Sequence, residues 1–325
     1  MEMNELLEPF ERMLETISTP AAVRAVEHGG TIGEMWSALV ESGFLDALVS
    51  EDAGGFGLTL GEVGPLIQAL GRHAVPVPVA ETMVVRALLA AAGVDRPEGP
   101  ITLATALGDE IVVPFGLVAE HVLADRGDTL VLVGAGDASP APTGVRSDLS
   151  ARMQFGAAAG TKIARPAGGL RPIAAVLRAG LISGAADKLL TMTTQFANDR
   201  IQFGKPIGRQ QALQQNLAMM AEDVIATRLA AQLACDGGLP VRMALAATAK
   251  SVASTSAARI ANIAHAVHGA IGISEEYDLQ LLTRRLHEWR LADGSEGYWN
   301  RVLGGERLAT GPALSVDWVR AEVFA

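Results

Sequence analysis

Four apolar patterns of helical period fill most of the second half of the chain, over about 170–198, 209–236, 240–270 and 275–303. No other feature restricts the fold as strongly. A helix with an apolar stripe must bury it, and long stripes joined by short breaks bury one another. In the first pattern Ile173, Val176, Leu177, Leu181, Ile182, Ala185, Leu189 and Phe196 keep the 3.6-residue period. Residues 169–325 therefore read as a C-terminal four-helix bundle. The composition agrees, because 49% apolar residues with only 4% aromatics suit close-packed helices better than a sandwich of ring-bearing strands.

The first 97 residues also read as helical, with segments at about 4–16, 31–43, 61–73 and 79–92 and a capping box expected at Thr31 and Glu34. Ser50-Glu51-Asp52-Ala53-Gly54-Gly55-Phe56-Gly57 is a glycine-rich turn between two of them. The prolines of His73-Ala74-Val75-Pro76-Val77-Pro78-Val79 forbid a continuous helix, so an extended crossing is expected there. Over 98–168 the pattern changes to short runs, Ile111–Val113, His121–Ala124 and Thr129–Val133, broken by Gly, Asp and Pro. These predict a small, shortened antiparallel β domain. The fold class is thus mainly α, in three units: an N-terminal helical domain at 1–97, the β domain at 98–168 and the bundle at 169–325.

Several function classes are disfavoured by the same reading. A formal charge of −10 offers no field for nucleic acid or an anionic membrane, so an anionic ligand must be gripped by a few local cations. The single Cys235 excludes an intrachain disulfide and a thiolate cluster, and it reads as a core residue. An acidic N-terminus, Met1-Glu2-Met3-Asn4-Glu5, and the absence of a long apolar run predict a soluble, cytoplasmic chain with no membrane span and no metal. Gly134-Ala135-Gly136 follows a strand but leads into Asp137-Ala138-Ser139-Pro140, so it opens no phosphate-binding helix.

One connector is unusually decorated. Asn198 to Gln211 sets Arg200, Gln202, Phe203, Gly204-Lys205-Pro206, Ile207 and Gln211 between two long helical patterns. Arg200 brings a planar permanent cation suited to a pyrophosphate, Gln202 and Gln211 bring amides, and Phe203 a flat face.

With that spacing, Arg200-Ile201-Gln202-Phe203-Gly204-Lys205-Pro206 and the following Gln211, the chain resembles the acyl-CoA dehydrogenase family. The likeness continues in order at Glu51–Gly57, at Val267-His268-Gly269-Ala270-Ile271-Gly272, and at Glu276-Tyr277-Asp278-Leu279 with Arg284-Arg285. It implies FAD lying across a subunit boundary, contacted by Arg200, Gln202, Phe203, Ile207, Gln211 and Ser295, with His268 and Gly269 near its adenosine half. It also implies a homo- or hetero-oligomer, dimer or tetramer, acting on an acyl-CoA substrate and passing electrons to an electron-transfer flavoprotein.

The implied reaction takes a proton from the carbon beside a thioester and a hydride from the next carbon, so a carboxylate base is needed. In much of the family the base opens a Glu-Gly-Thr segment. Its place here falls on Asp293-Gly294-Ser295, which makes Asp293 the first catalytic candidate and Glu296 the second. The other position used by relatives falls on Ala174 or Ala175, where there is no acid.

The β domain lacks the family's Thr-Glu-Pro-x-x-Gly-Ser-Asp loop, and its shortness resembles the compact dehydrogenases of bacterial steroid and other bulky acyl-CoA degradation. Some of these are built from two unlike chains. Two rivals therefore stand beside a self-sufficient dehydrogenase: a non-catalytic partner subunit that completes another chain's FAD site, and a flavin monooxygenase or oxidase on the same scaffold.

Overall fold

The computed structural model describes residues 3–106, 108, 110–155, 160–309 and 314–324. Met1 and Glu2, which open the acidic N-terminus, lie outside them. Five helices come first, α1 (Met3–Ile17), α2 (Pro20–Glu27), α3 (Gly33–Glu41), α4 (Leu60–Arg72) and α5 (Val79–Ala91). The sequence pattern did not reveal α2, a helix of 8 residues entered through Thr19, whose hydroxyl accepts from the Ala22 amide. The capping box expected at Thr31 is not formed: Thr31 accepts from Gly33 in a local turn, and Ile32 is the N-cap. The box sits instead at Thr59 and Glu62, at the start of α4.

Seven strands follow, β1 (Ile101–Ala104), β2 (Glu110–Val113), β3 (His121–Asp125), β4 (Thr129–Gly134), β5 (Ala141–Pro142), β6 (Ala151–Gln154) and β7 (Thr161–Ala164). They form one sheet in the order β1-β3-β4-β7 and another in the order β2-β6-β5. The pairing departs from an all-antiparallel reading, because β1 and β3 run parallel. Alternation decides what each face buries. Val122, Ala124, Val131 and Val133 point at the second sheet and meet Val113, Ala151 and Met153. Leu123 and Leu130, with Ile101 and Leu103, turn the other way and join the helical core. The first sheet is therefore apolar on both sides, which is why its sequence reads as short continuous runs.

The second half contains α6 (Leu170–Asp199), a two-stranded ribbon β8 (Ile201–Gln202) and β9 (Lys205–Pro206), α7 (Gln211–Asp236), α8 (Met243–His268), a single turn α9 (Ala270–Ile273), α10 (Leu279–Leu291), α11 (Glu296–Ala309) and α12 (Ser315–Glu322). The fourth long pattern is not one helix: it breaks after Leu291 and resumes at Glu296. At the break Asp293 and Gly294 take φ of 59° and 107°, which no helix accommodates. The helices α6, α7 and α8 pack on one another, and α4 lies against α6. That last approach depends on glycine, since a Cβ at Gly184 would stand 1.8 Å from the Gln68 carbonyl oxygen and one at Gly71 2.0 Å from that of Leu181. Cys235 is buried in α7, and burial pushes its thiol up to about 12.

Candidate functional site

The ribbon after α6 turns through Phe203 and Gly204, both with positive φ, 52° and 76°. Two central residues of that kind make the tight turn that matches strand twist, and the glycine is what makes it cheap. Phe203 is carried at the tip and is 92% exposed. Arg200 closes α6 with an exposed side chain that makes no hydrogen bond or ion pair among the described residues.

Behind the ribbon lies a cleft of about 530 Å³, lined by Arg200, Gln202 and Ile207 on one side and His268, Gly269 and Ile271 on the other. Five of the eight residues expected at the cofactor thus share one wall system, although His268 and Gly269 come from the far end of α8. Phe203 is not part of its lining, Gln211 is exposed at the first turn of α7, and Ser295 belongs to the α10–α11 break. Phe196, which no motif singled out, also lines the cleft and stacks on the His268 ring at 4.3 Å, with Tyr277 5.3 Å from the same imidazole.

The state of His268 follows from its surroundings. Burial holds it below the ordinary imidazole range, and Nδ1 lies 2.8 Å from the Ala264 carbonyl, which can only accept. Nδ1 therefore carries the hydrogen, and Nε2 is a buried acceptor without a partner among the described residues. Gly269 has φ 62° and ψ −139°, and a Cβ built on it would meet nothing within 4 Å, so its face toward the cleft is open. A free guanidinium and an amide as donors, an orphan imidazole nitrogen as acceptor and an unobstructed backbone fit the hydrogen-bonding and space requirements of a dinucleotide's phosphate and sugar half.

The two acids expected near the chemistry are engaged otherwise. Asp293 Oδ1 accepts from the Thr105 hydroxyl at 2.7 Å, and Oδ2 lies 3.1 Å from Arg178 Nε, with its side chain 3% exposed. Arg178 is wholly buried, and its Nη1 donates to Glu81 Oε1 at 2.5 Å. Burial works against the charged guanidinium, but Glu81 and Asp293 overcome it and hold Arg178 above its ordinary value. Glu296 receives two bonds from Arg290, at 3.0 and 2.5 Å, and this pairing holds its carboxyl below the ordinary range despite partial burial. Asp293 and Ala292 also form part of the wall of a largely apolar cavity of about 540 Å³, with Val112, Pro114, Val145 and Leu291.

Arg178, which holds Asp293, and Arg200, which lines the cleft, stand toward opposite ends of the same helix, about 33 Å apart along its axis at about 1.5 Å per residue. The partners of Asp293 were missed by motif reading, yet one signal existed. Arg178 interrupts the apolar stripe of α6 between Leu177 and Leu181, at a phase that can only be buried.

Residues 173–308 match the family described as acyl-CoA dehydrogenase, C-terminal domain. The chain belongs to the acyl-CoA dehydrogenase family of flavoprotein oxidoreductases. It is 33% identical over 298 residues to acyl-CoA dehydrogenase IpdE2 of Mycobacterium tuberculosis, covering 86% of this chain and 92% of that one. IpdE2 of Mycolicibacterium smegmatis is 30% identical over 294 residues, covering 88% and 93%. Among solved structures, the Tcur3481-Tcur3483 steroid acyl-CoA dehydrogenase, in a G363A variant, superposes with a TM-score of 0.80 at 25% identity, covering 95% of this chain and all of that one. Among the described residues no helix is long and apolar enough to cross a membrane.

Proposed function

We propose that this chain works within an oligomeric, FAD-dependent acyl-CoA dehydrogenase that introduces a double bond between the α and β carbons of an acyl-CoA thioester. The observation that carries the reading is the cleft itself: Arg200, Gln202, Ile207, His268 and Gly269 converge there, toward the opposite end of α6 from Arg178 and its partner Asp293. That separation supports a cofactor shared between chains, since one chain's clamp and its own α10–α11 break serve different places in the assembly.

In this reading Arg200 binds the pyrophosphate, Gln202 donates an amide hydrogen, and Gly269 lets backbone approach the sugar. The acceptor nitrogen of His268 suits a hydroxyl or amine donor of the adenosine half. When bound, FAD supplies the acceptor for the hydride that leaves the β carbon, while the α proton goes to a carboxylate. An electron-transfer flavoprotein would serve as the electron acceptor of the assembly. The similarity to a steroid dehydrogenase named for two chains supports a bulky, steroid-derived acyl group and an unlike partner.

FAD titration of the chain, alone and co-expressed with a co-encoded dehydrogenase-like chain, tests the clamp. Arg200→Ala should weaken FAD binding at least tenfold without changing the melting temperature, because the side chain is exposed and unpaired. Equal FAD affinity in the variant would defeat the assignment. Anaerobic bleaching by acyl-CoA esters tests the reaction, and product formed only with oxygen would point to an oxidase or monooxygenase instead.

A further inference from the structure

We infer that the cavity beside the α10–α11 break takes an acyl group whose far ring carries a neutral oxygen, a hydroxyl or a ketone, and that His287 and Ser147 read that oxygen. The inference rests on the acyl-CoA dehydrogenase reading above and names a substrate class within it.

The cavity of about 540 Å³ is polar at one end and apolar at the other. Arg284, His287, Glu288 and Leu291 line it from α10, and their spacing puts them on one face of that helix. Leu291, the last helical residue, leads into Ala292 and Asp293, which close the apolar end. His287 stands about 6 Å and Arg284 about 10 Å further back along the axis, at about 1.5 Å per residue. The β domain supplies the remaining wall through Val112, Pro114 and the loop from Thr143 to Ser150. Ser147 belongs to the polar end, because its carbonyl oxygen lies 3.5 Å from Arg284 Nη1. Val112, Val145 and Leu291 are each more than half exposed, so a ring seated among them would remove apolar surface from water.

At the polar end the charges are already matched. Arg284 donates to Gln280 at 2.7 Å and to Glu27 at 2.6 Å, and Arg146 pairs with Glu275 at 2.5 Å. Both oxygens of Asp148 are engaged, by the Thr143 hydroxyl at 2.6 Å and the Ser150 amide at 2.9 Å. An acyl group ending in a carboxylate would have to break one of these pairs to find a cation. The groups left over are neutral: the His287 ring and the Ser147 hydroxyl make no hydrogen bond among the described residues. Partial burial and the Arg290 guanidinium hold His287 below the ordinary imidazole range, so at pH 7 one ring nitrogen donates and the other accepts. Ser147 has φ 59°, a conformation in which glycine is the easier residue, yet a hydroxyl is kept there. Imidazole and hydroxyl can each donate to a ketone or accept from a hydroxyl. A plain hydrocarbon ring would cover them and leave both unpartnered.

The test compares cyclohexylpropanoyl-CoA with its counterpart bearing a ketone across the ring from the thioester arm, on the flavin-loaded assembly. The keto ester should be favoured roughly tenfold or more in kcat/KM for anaerobic flavin bleaching, and its unsaturated product should bind more tightly than the hydrocarbon product by calorimetry. His287→Leu, and separately Ser147→Gly, should narrow both preferences to within about threefold, with the loss falling on the keto compounds. Ser147→Gly suits the backbone at φ 59°, so its effect is read in a chain that folds. No preference in the unmodified assembly, equal losses on both esters in the variants, or a stronger preference for a ring carboxylate would each overturn the inference. Bleaching by neither ester, with the calorimetric preference present and lost in the variants, would remove the dehydrogenase reading and support the cavity's selectivity.

Discussion

The imidazole of His268 lies on the ring of Phe196 with centroids 4.3 Å apart and planes inclined by 27°, so the end of α8 is pinned to the end of α6. Burial keeps this histidine's folded value below 6.5. As pH falls through 6.5, the unfolded chain takes the proton first, and stability is lost over that window. His73, His265 and His287 are depressed by burial too and add to the slope. Denaturant unfolding between pH 7 and 5 should show falling stability, and His268→Gln should make the decline shallower by up to one proton's worth.

Lys250 provides the opposite end of the pH scale. It is wholly buried on α8 and donates to Ser254 Oγ at 3.1 Å, Arg290 O at 2.8 Å and Gly294 O at 2.9 Å. Burial lowers its folded value to about 7 from 10.5, with Arg178 and Arg290 acting in the same direction and Asp293 and Glu296 opposing. Between those values the unfolded chain binds more protons, so the burial penalty is relieved as pH rises. The stability of the unmodified chain relative to Lys250→Met should therefore grow from pH 7 to 10 in paired denaturation curves. A flat difference would contradict it.

Asp125 joins the sheet to the bundle. Its Oδ2 accepts from the Leu170 amide at 3.1 Å, at the first residue of α6, and Oδ1 accepts from Arg165 at 2.7 Å and Gly127 at 2.9 Å. Burial works to raise its value, but these bonds outweigh it and hold the carboxyl below 3.8. Its contribution is present above 3.8 and is lost as pH falls through the lower folded value. Asp125→Asn should cost about 1–3 kcal/mol at pH 7 and progressively less toward pH 3, measured by urea unfolding.

Thr59→Ala should remove half of the capping box of α4 and cost about 1 kcal/mol. Thr31→Ala, at the position favoured by sequence pattern, should cost less than half of that, because Thr31 caps nothing beyond a local turn. The two melting temperatures decide between the positions.

Phe203→Ser should leave the melting temperature of the isolated chain unchanged, since the ring is 92% exposed at a turn built on Gly204. If the tip meets a neighbouring chain, the same change should weaken FAD retention or assembly, read by size-exclusion profile and flavin content.

The long helices were legible because α6, α7 and α8 carry enough apolar repeats for period alone to identify them. The strands of the first sheet were legible only in part, since Ile101–Ala104 is buried on both faces and shows no alternation. Two similar Thr-x-x-Glu patterns gave no sign of which one caps a helix; that depends on where the preceding chain enters. For the site, the family resemblance pointed to Arg200, His268 and Gly269, which line one cleft, but it could not show what Asp293 touches. Its partners Thr105 and Arg178 lie 188 and 115 positions away along the chain, so only packing reveals them.

One rod, α6, bears both Arg178 and Arg200, and this makes their relation a matter of phase as well as length. Removing a single residue between them would turn one guanidinium by about 100° around the axis relative to the other, while shortening the rod by only about 1.5 Å. Insertions and deletions in this helix should therefore be tolerated only in near-whole turns, a constraint on sequence drift that no individual contact imposes.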